Sequence, residues 1–104
     1  MEISILGMNY AVELYDGLAR EETALGTCTS DALLIRIDKS LKPDKHNKTV
    51  FHEIIHAALF ELQNDKAARD EKMVDNIALA LYQTLRDCGA LNMDSLLLKN
   101  PSRV

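Results

Sequence analysis

Two imidazoles and a carboxylate stand in one short run, His52-Glu53-Ile54-Ile55-His56. On a helix, residues four apart share a face, so His52 and His56 can offer their nitrogens to a single divalent ion. Glu53 falls about 100° further round, beside the metal rather than on it. A carboxylate there can take a proton from metal-activated water. That division of labour, two fixed ligands and one base, is what a zinc hydrolase needs.

Two histidines do not complete such a site, because catalytic zinc usually takes three protein ligands and a water. The remaining histidine, His46, precedes His52 by six residues. It would point about 240° away on the same helix and is expected to be solvated. The third ligand must then be a carboxylate from the next helix, where Asp70, Glu71 and Asp75 are available. Glu71 and Asp75 are four apart and share a face. The apolar line Val74, Ala78, Leu81, Leu85, extended backward, reaches Glu71. An acid on an inward line requires a partner, and a metal supplies one. Glu71 is therefore expected as the ligand. Asp75 is expected to accept the outer N–H of a ligating histidine, and the two roles could be exchanged. A plainer reading makes these acids first-turn partners of the helix dipole. It suits Asp70 but leaves the histidine pair unexplained. Tyr82 lies on the face of Asp75 and is a candidate transition-state stabiliser. Its plainer reading is a tyrosine at the core edge.

The elements that must position these residues are legible in outline. Residues 2–15 read as a hairpin, with Ile3 and Ile5 alternating on one strand, Tyr10, Val12 and Leu14 on the other, and Gly7-Met8-Asn9 as the turn. Asp16-Gly17 is a turn, Leu18 to Glu22 is helical turn or loop, and Ala24 to Cys28 is a short strand closed by Thr29-Ser30-Asp31. Residues 32–38 alternate most cleanly: Leu33, Ile35 and Ile37 on one face, Arg36 and Asp38 on the other. Pro43 suits a first helical position. The helix after it runs to about Gln63, with Val50, Phe51, Ile54, Ile55, Ala58, Leu59 and Leu62 as its apolar stripe and the histidines at the stripe's edge. Asn64 to Arg69 is a polar break. A second helix runs from the N-cap Asp70 to Asp87, with Val74, Ile77, Ala78, Leu81 and Leu85 buried, and Cys88-Gly89 ends it. A short helix over 90–99 and a frayed tail follow. The expected architecture is α+β: a small, mostly antiparallel sheet of three or four strands followed by two packed helices, in one domain over residues 1–104.

Bulk properties narrow the function. The chain has 104 residues, a net charge of −4 and 27% charged residues, so a phosphate-backbone binder is disfavoured and no direct nucleic-acid contact is expected. Lys39, Lys42, Lys45 and Lys48 are diluted by Asp38 and Asp44 and read as a solvated face. No run reaches the ~18 apolar residues of a membrane span, and Met1-Glu2-Ile3-Ser4 does not read as a signal peptide. Cys28 and Cys88, 60 apart, suit a reduced, cytoplasmic compartment as small hydrophobes.

At these residues the chain resembles known families. His52-Glu-Ile-Ile-His56 followed by an acid on the next helix looks like a gluzincin-type metallopeptidase. Glu71-Lys-Met-Val-Asp75 is similar to the E-x-x-x-D of thermolysin-like enzymes, in which the Glu binds zinc and the Asp supports a ligating His. Thr49-Val-Phe-His-Glu-Ile-Ile-His-Ala57 and Val74-Asp-Asn-Ile-Ala-Leu-Ala-Leu-Tyr-Gln83 look like the two helices of small phage-associated members of the ImmA/IrrE-type metallopeptidases. The match covers residues 32–87. The spacing from His56 to Glu71 is shorter than in thermolysin, and the E-A-N-x-F-A run of the larger relatives is absent. The resemblance implies a minimal zincin-like domain, Zn²⁺ as cofactor, and a protein or peptide substrate, with repressors as the substrates of larger relatives.

The expectation is therefore a zinc-dependent metallopeptidase with Glu53 as general base and His52, His56 and Glu71 on the metal. The alternative is a catalytically inactive zincin-fold protein that acts by docking a partner. A third class is a metal-free phage or host accessory protein.

Overall fold

A computed structural model of the chain describes residues 1–18 and 24–89. Strands β1 (Glu2–Ile5) and β2 (Met8–Tyr15) form the expected hairpin, with Ile3 opposite Tyr10 and Ile5 opposite Met8. The turn is Leu6-Gly7 rather than Gly7-Met8-Asn9. Both residues have positive φ, 51° and 86°, the mirror-image geometry that matches the twist of the flanking strands. Glycine adopts it freely, and Leu6 adopts it against its preference.

Strand β3 (Gly26–Thr29) leads through a 3₁₀ turn, Ser30–Ala32, into β4 (Leu34–Asp38). The sheet order is β1-β2-β4-β3. β4 pairs antiparallel with β3 and parallel with β2, so the sheet is mixed, with two antiparallel pairings and one parallel. β4 is enclosed on both sides, and β1 and β3 are the two edge strands among the described residues. Ile35 and Ile37 are fully buried, which fixes the register: a slip of one residue would turn both outward. Asp38, expected on the outer face, is also buried. It accepts hydrogen bonds from the Ser40 N–H at 2.8 Å and the Ser40 hydroxyl at 2.6 Å.

Three helices follow: α1 (Pro43–Glu61), α2 (Asp65–Ala68) and α3 (Glu71–Asp87). Pro43 opens α1, where its missing N–H costs nothing. Asp70 caps α3 by accepting the Met73 N–H at 3.1 Å. Gly89, at φ 74°, lies just past its end. The stretch expected as a polar break contains α2, capped by Asn64, which accepts the Ala67 N–H at 3.2 Å.

One face of the sheet packs on α1. The core joins Ile5, Tyr10, Val12, Ile35 and Ile37 to Val50 and Ala57 of the helix. Helix α1 is turned relative to the expected stripe. Its buried residues are His46, Asn47, Thr49, Val50, Glu53, His56 and Ala57, while Leu62 is exposed. Glu53 therefore faces inward, and His46 is fully buried rather than solvated. On α3 the buried line is Val74, Ala78 and Tyr82, with Ile77 and Leu81 exposed. The short helix expected over 90–99, the tail after it and most of the 18–22 stretch lie outside the described residues. Among the described residues no helix is long and apolar enough to cross a membrane.

Candidate metal centre

The structure brings His52, His56 and Glu71 together. The His52 Nε2 lies 3.1 Å from Glu71 Oε2, the His56 Nε2 lies 3.0 Å from Glu71 Oε1, and the two Nε2 atoms are 3.1 Å apart. One ligand atom from each residue falls within a 4.8 Å span, so the group could hold a metal ion. α1 supplies the histidines through their four-residue spacing, and the first turn of α3 supplies the carboxylate. Helix α2 and the Asp70 cap set where that first turn begins.

The outer ring nitrogens bear on what the inner ones can do. His56 Nδ1 is 2.6 Å from the Ala68 carbonyl oxygen. A carbonyl only accepts, so this Nδ1–H donates, and in the neutral ring Nε2 carries a lone pair. His52 Nδ1 lies 3.3 Å from Asp75 Oδ1, and its Nε2 also faces a carboxylate, that of Glu71, so either nitrogen of this ring can carry the proton. The His56 Nε2 lone pair, the His52 Nε2 and the Glu71 carboxylate then converge. Such a set repels itself unless a cation or a proton lies between its members. Imidazole nitrogen with carboxylate oxygen is the donor set that suits borderline divalent ions, zinc among them. Asp75 takes the supporting position and Glu71 the inner one.

Glu71 is not buried by the helix line that pointed to it: its side chain is 70% exposed. Desolvation therefore does not explain the position of Glu71. Contact with the histidines places it, and its exposure leaves the cluster open toward solvent. Glu53 is the opposite case. It is 5% exposed, and its pKa is pushed up to about 8, first by burial and then by the nearby negative charge of Glu71. A base poised near neutrality is the kind that proton transfer requires.

The cluster opens into a cleft of about 670 Å³, with β3 along one wall and α1 and the start of α3 opposite. Gly26 lets that wall approach. A Cβ there would lie 2.7 Å from Thr49 Cγ2 and 3.1 Å from Glu53 Cγ and Oε2. Glycine within a strand was the available signal for such an approach. The support of His56 by the Ala68 backbone carried no side-chain signal at all.

Other candidates lie elsewhere or are inert. The Tyr82 hydroxyl donates to Asp44 Oδ1 at 2.8 Å, its ring is 5.8 Å from that of Phe51, and it does not line the cleft. Cys28 does line the cleft, but burial, with Glu53 and Glu61, pushes its thiol up to about 12, so it stays protonated and unreactive. Cys88 is exposed at the end of α3, and both cysteines are free. Set against family models, curated proteins and solved structures, the chain matches none.

Proposed function

We propose that the protein is a zinc-dependent metallopeptidase that hydrolyses a peptide bond in a protein substrate. One observation carries this: His52, His56 and Glu71 each offer one ligand atom within 4.8 Å of the others, with the buried carboxyl of Glu53 lining the same cleft. His52, His56 and Glu71 would hold the ion, with Asp75 and the Ala68 carbonyl orienting the two rings. The metal, when bound, polarises the scissile carbonyl and lowers the pKa of water toward ~7.

The chain's own residues do the rest. Glu53 accepts a proton as the water oxygen bonds to the carbonyl carbon. It returns that proton to the departing nitrogen as the C–N bond breaks. Among the described residues no strand flanks β3 on its outer side, so an extended peptide can be laid beside it. The resemblance to small ImmA/IrrE-type metallopeptidases agrees with this assignment and suggests a regulatory protein, such as a repressor, as substrate in a reducing compartment.

The test is cleavage of a peptide library by zinc-loaded protein and by Glu53→Gln. Chelator-sensitive cleavage that Glu53→Gln abolishes while keeping its zinc is the expected result. Bound zinc with no cleavage by either protein would identify a docking protein on a zincin-like fold instead.

A further inference from the structure

We propose that the cleft selects peptides with acidic side chains on both sides of the scissile bond. This rests on the metallopeptidase reading for what happens to the peptide, but not for what binds.

Three cations line the cleft, Lys45, Lys48 and Arg69, together with three acids, Glu53, Glu71 and Asp75. Each acid is either buried or paired at the histidines, although the Glu71 and Asp75 side chains are 70% and 49% exposed. Glu53 is buried, Glu71 faces the histidines, and Asp75 holds His52 at 3.3 Å and Lys48 at 3.9 Å. The outer cations are not committed. Lys45 and Arg69 are exposed, and neither has an ion pair with an acid among the described residues. A bound divalent ion would add positive charge at the centre. The positions of Lys45 and Arg69 are therefore cationic parts of the cleft wall, in a chain whose net charge is −4. Walls of low dielectric focus such a field into the cleft.

The two cations stand at opposite ends of the histidine pair. Lys45 lies seven residues before His52 on α1, a rise of about 10 Å. Arg69 follows Ala68, whose carbonyl anchors His56. Lys45 and His56 are separated by about 16 Å of helix, which an extended peptide crosses in about five residues. With the ion between the histidines, an acidic residue about three or four positions to one side of the cleaved bond would reach Lys45, and one about a position or two to the other side would reach Arg69. The lysines that look like a solvated face in the sequence thus divide, with Lys45 and Lys48 belonging to the cleft.

The experiment compares peptides of one core sequence with Glu, Gln or Lys at those flanking positions. It reads kcat/KM on zinc-loaded protein, and binding by fluorescence anisotropy on both metal-free protein and zinc-loaded Glu53→Gln. Each exposed charge pair is worth up to about fivefold, so the doubly acidic peptide should lead the neutral one by about 25-fold in 50 mM salt and by much less in 500 mM. The double variant Lys45→Glu/Arg69→Glu should invert the order. Equal binding of acidic and basic peptides, or an order that the double variant leaves unchanged, would overturn the inference while leaving hydrolysis intact. Cleavage of no peptide would count against the hydrolase reading alone, since the anisotropy series still decides the charge preference.

Discussion

The burial of Glu53 makes the stability of the metal-free protein depend on pH in a particular direction. In the unfolded chain this carboxyl titrates near 4.5, and in the folded, metal-free protein near 8. Between those values the folded state holds a proton that the unfolded state has released, so raising the pH favours unfolding. The stabilising contribution of neutral Glu53 is complete below 4.5, declines across the window and is gone above 8. At about 1.4 kcal/mol per pH unit, the loss over that window is about 5 kcal/mol, comparable with the whole stability of a small domain. Glu53→Gln keeps the shape and cannot ionise. In the presence of chelator it should match the parent protein near pH 5 and exceed its stability by several kcal/mol at pH 9. The chain has no tryptophan, so urea unfolding is best followed by circular dichroism at pH 5, 7 and 9. With zinc bound, the cation favours ionised Glu53 and the gap should narrow. Parallel stability–pH profiles for the two metal-free proteins would refute the assignment of Glu53 as a buried, proton-holding carboxyl.

Other consequences are equally direct. Zinc at a hundred times its dissociation constant stabilises by about 2.7 kcal/mol, so chelation should lower Tm by about 10–20 °C, and His52→Ala should remove that response. Gly26→Ala places a methyl group 2.7 Å from Thr49 Cγ2 and should cost about 1–3 kcal/mol. Adding Thr49→Ser, which keeps the hydroxyl bonded to the Lys45 carbonyl but deletes Cγ2, should recover part of the loss in a double-mutant cycle. Tyr82→Phe should cost about 1 kcal/mol by removing its hydrogen bond to Asp44, with kcat/KM unchanged. A large fall in kcat would return Tyr82 to the transition state.

Much of the site could be seen in the chain because helical spacing is local. Four-residue separation alone puts His52 beside His56, and the Asp70 cap sets the first turn of α3, which presents Glu71 and Asp75. Alternation likewise marks β4 through Ile35 and Ile37. What escaped the sequence depends on contacts between distant segments. Which face of α1 meets the sheet decides that Glu53 and His46 are buried and Leu62 is not, and no single-helix pattern fixes that rotation when polar residues occupy the inward side. Strand order is similar: periodicity marks β4 as a strand but not its parallel pairing with β2, which puts β4 inside the sheet and β3 outside it. The hairpin turn was displaced because Leu6 takes a positive φ that its residue type disfavours. Ala68 supports His56 through its carbonyl, a group every residue has. Glu71 was reached by extending a buried line, although its own side chain is exposed.

The convergence of His52, His56 and Glu71 on one ion is most directly tested by X-ray absorption at the zinc edge of the loaded protein, at one equivalent per chain. The expected spectrum has two imidazole nitrogens at about 2.0–2.1 Å and oxygen neighbours at about 2.0–2.2 Å, and Glu71→Gln should weaken binding. Failure to retain zinc, or a sulfur shell near 2.3 Å pointing to the cysteines, would contradict it.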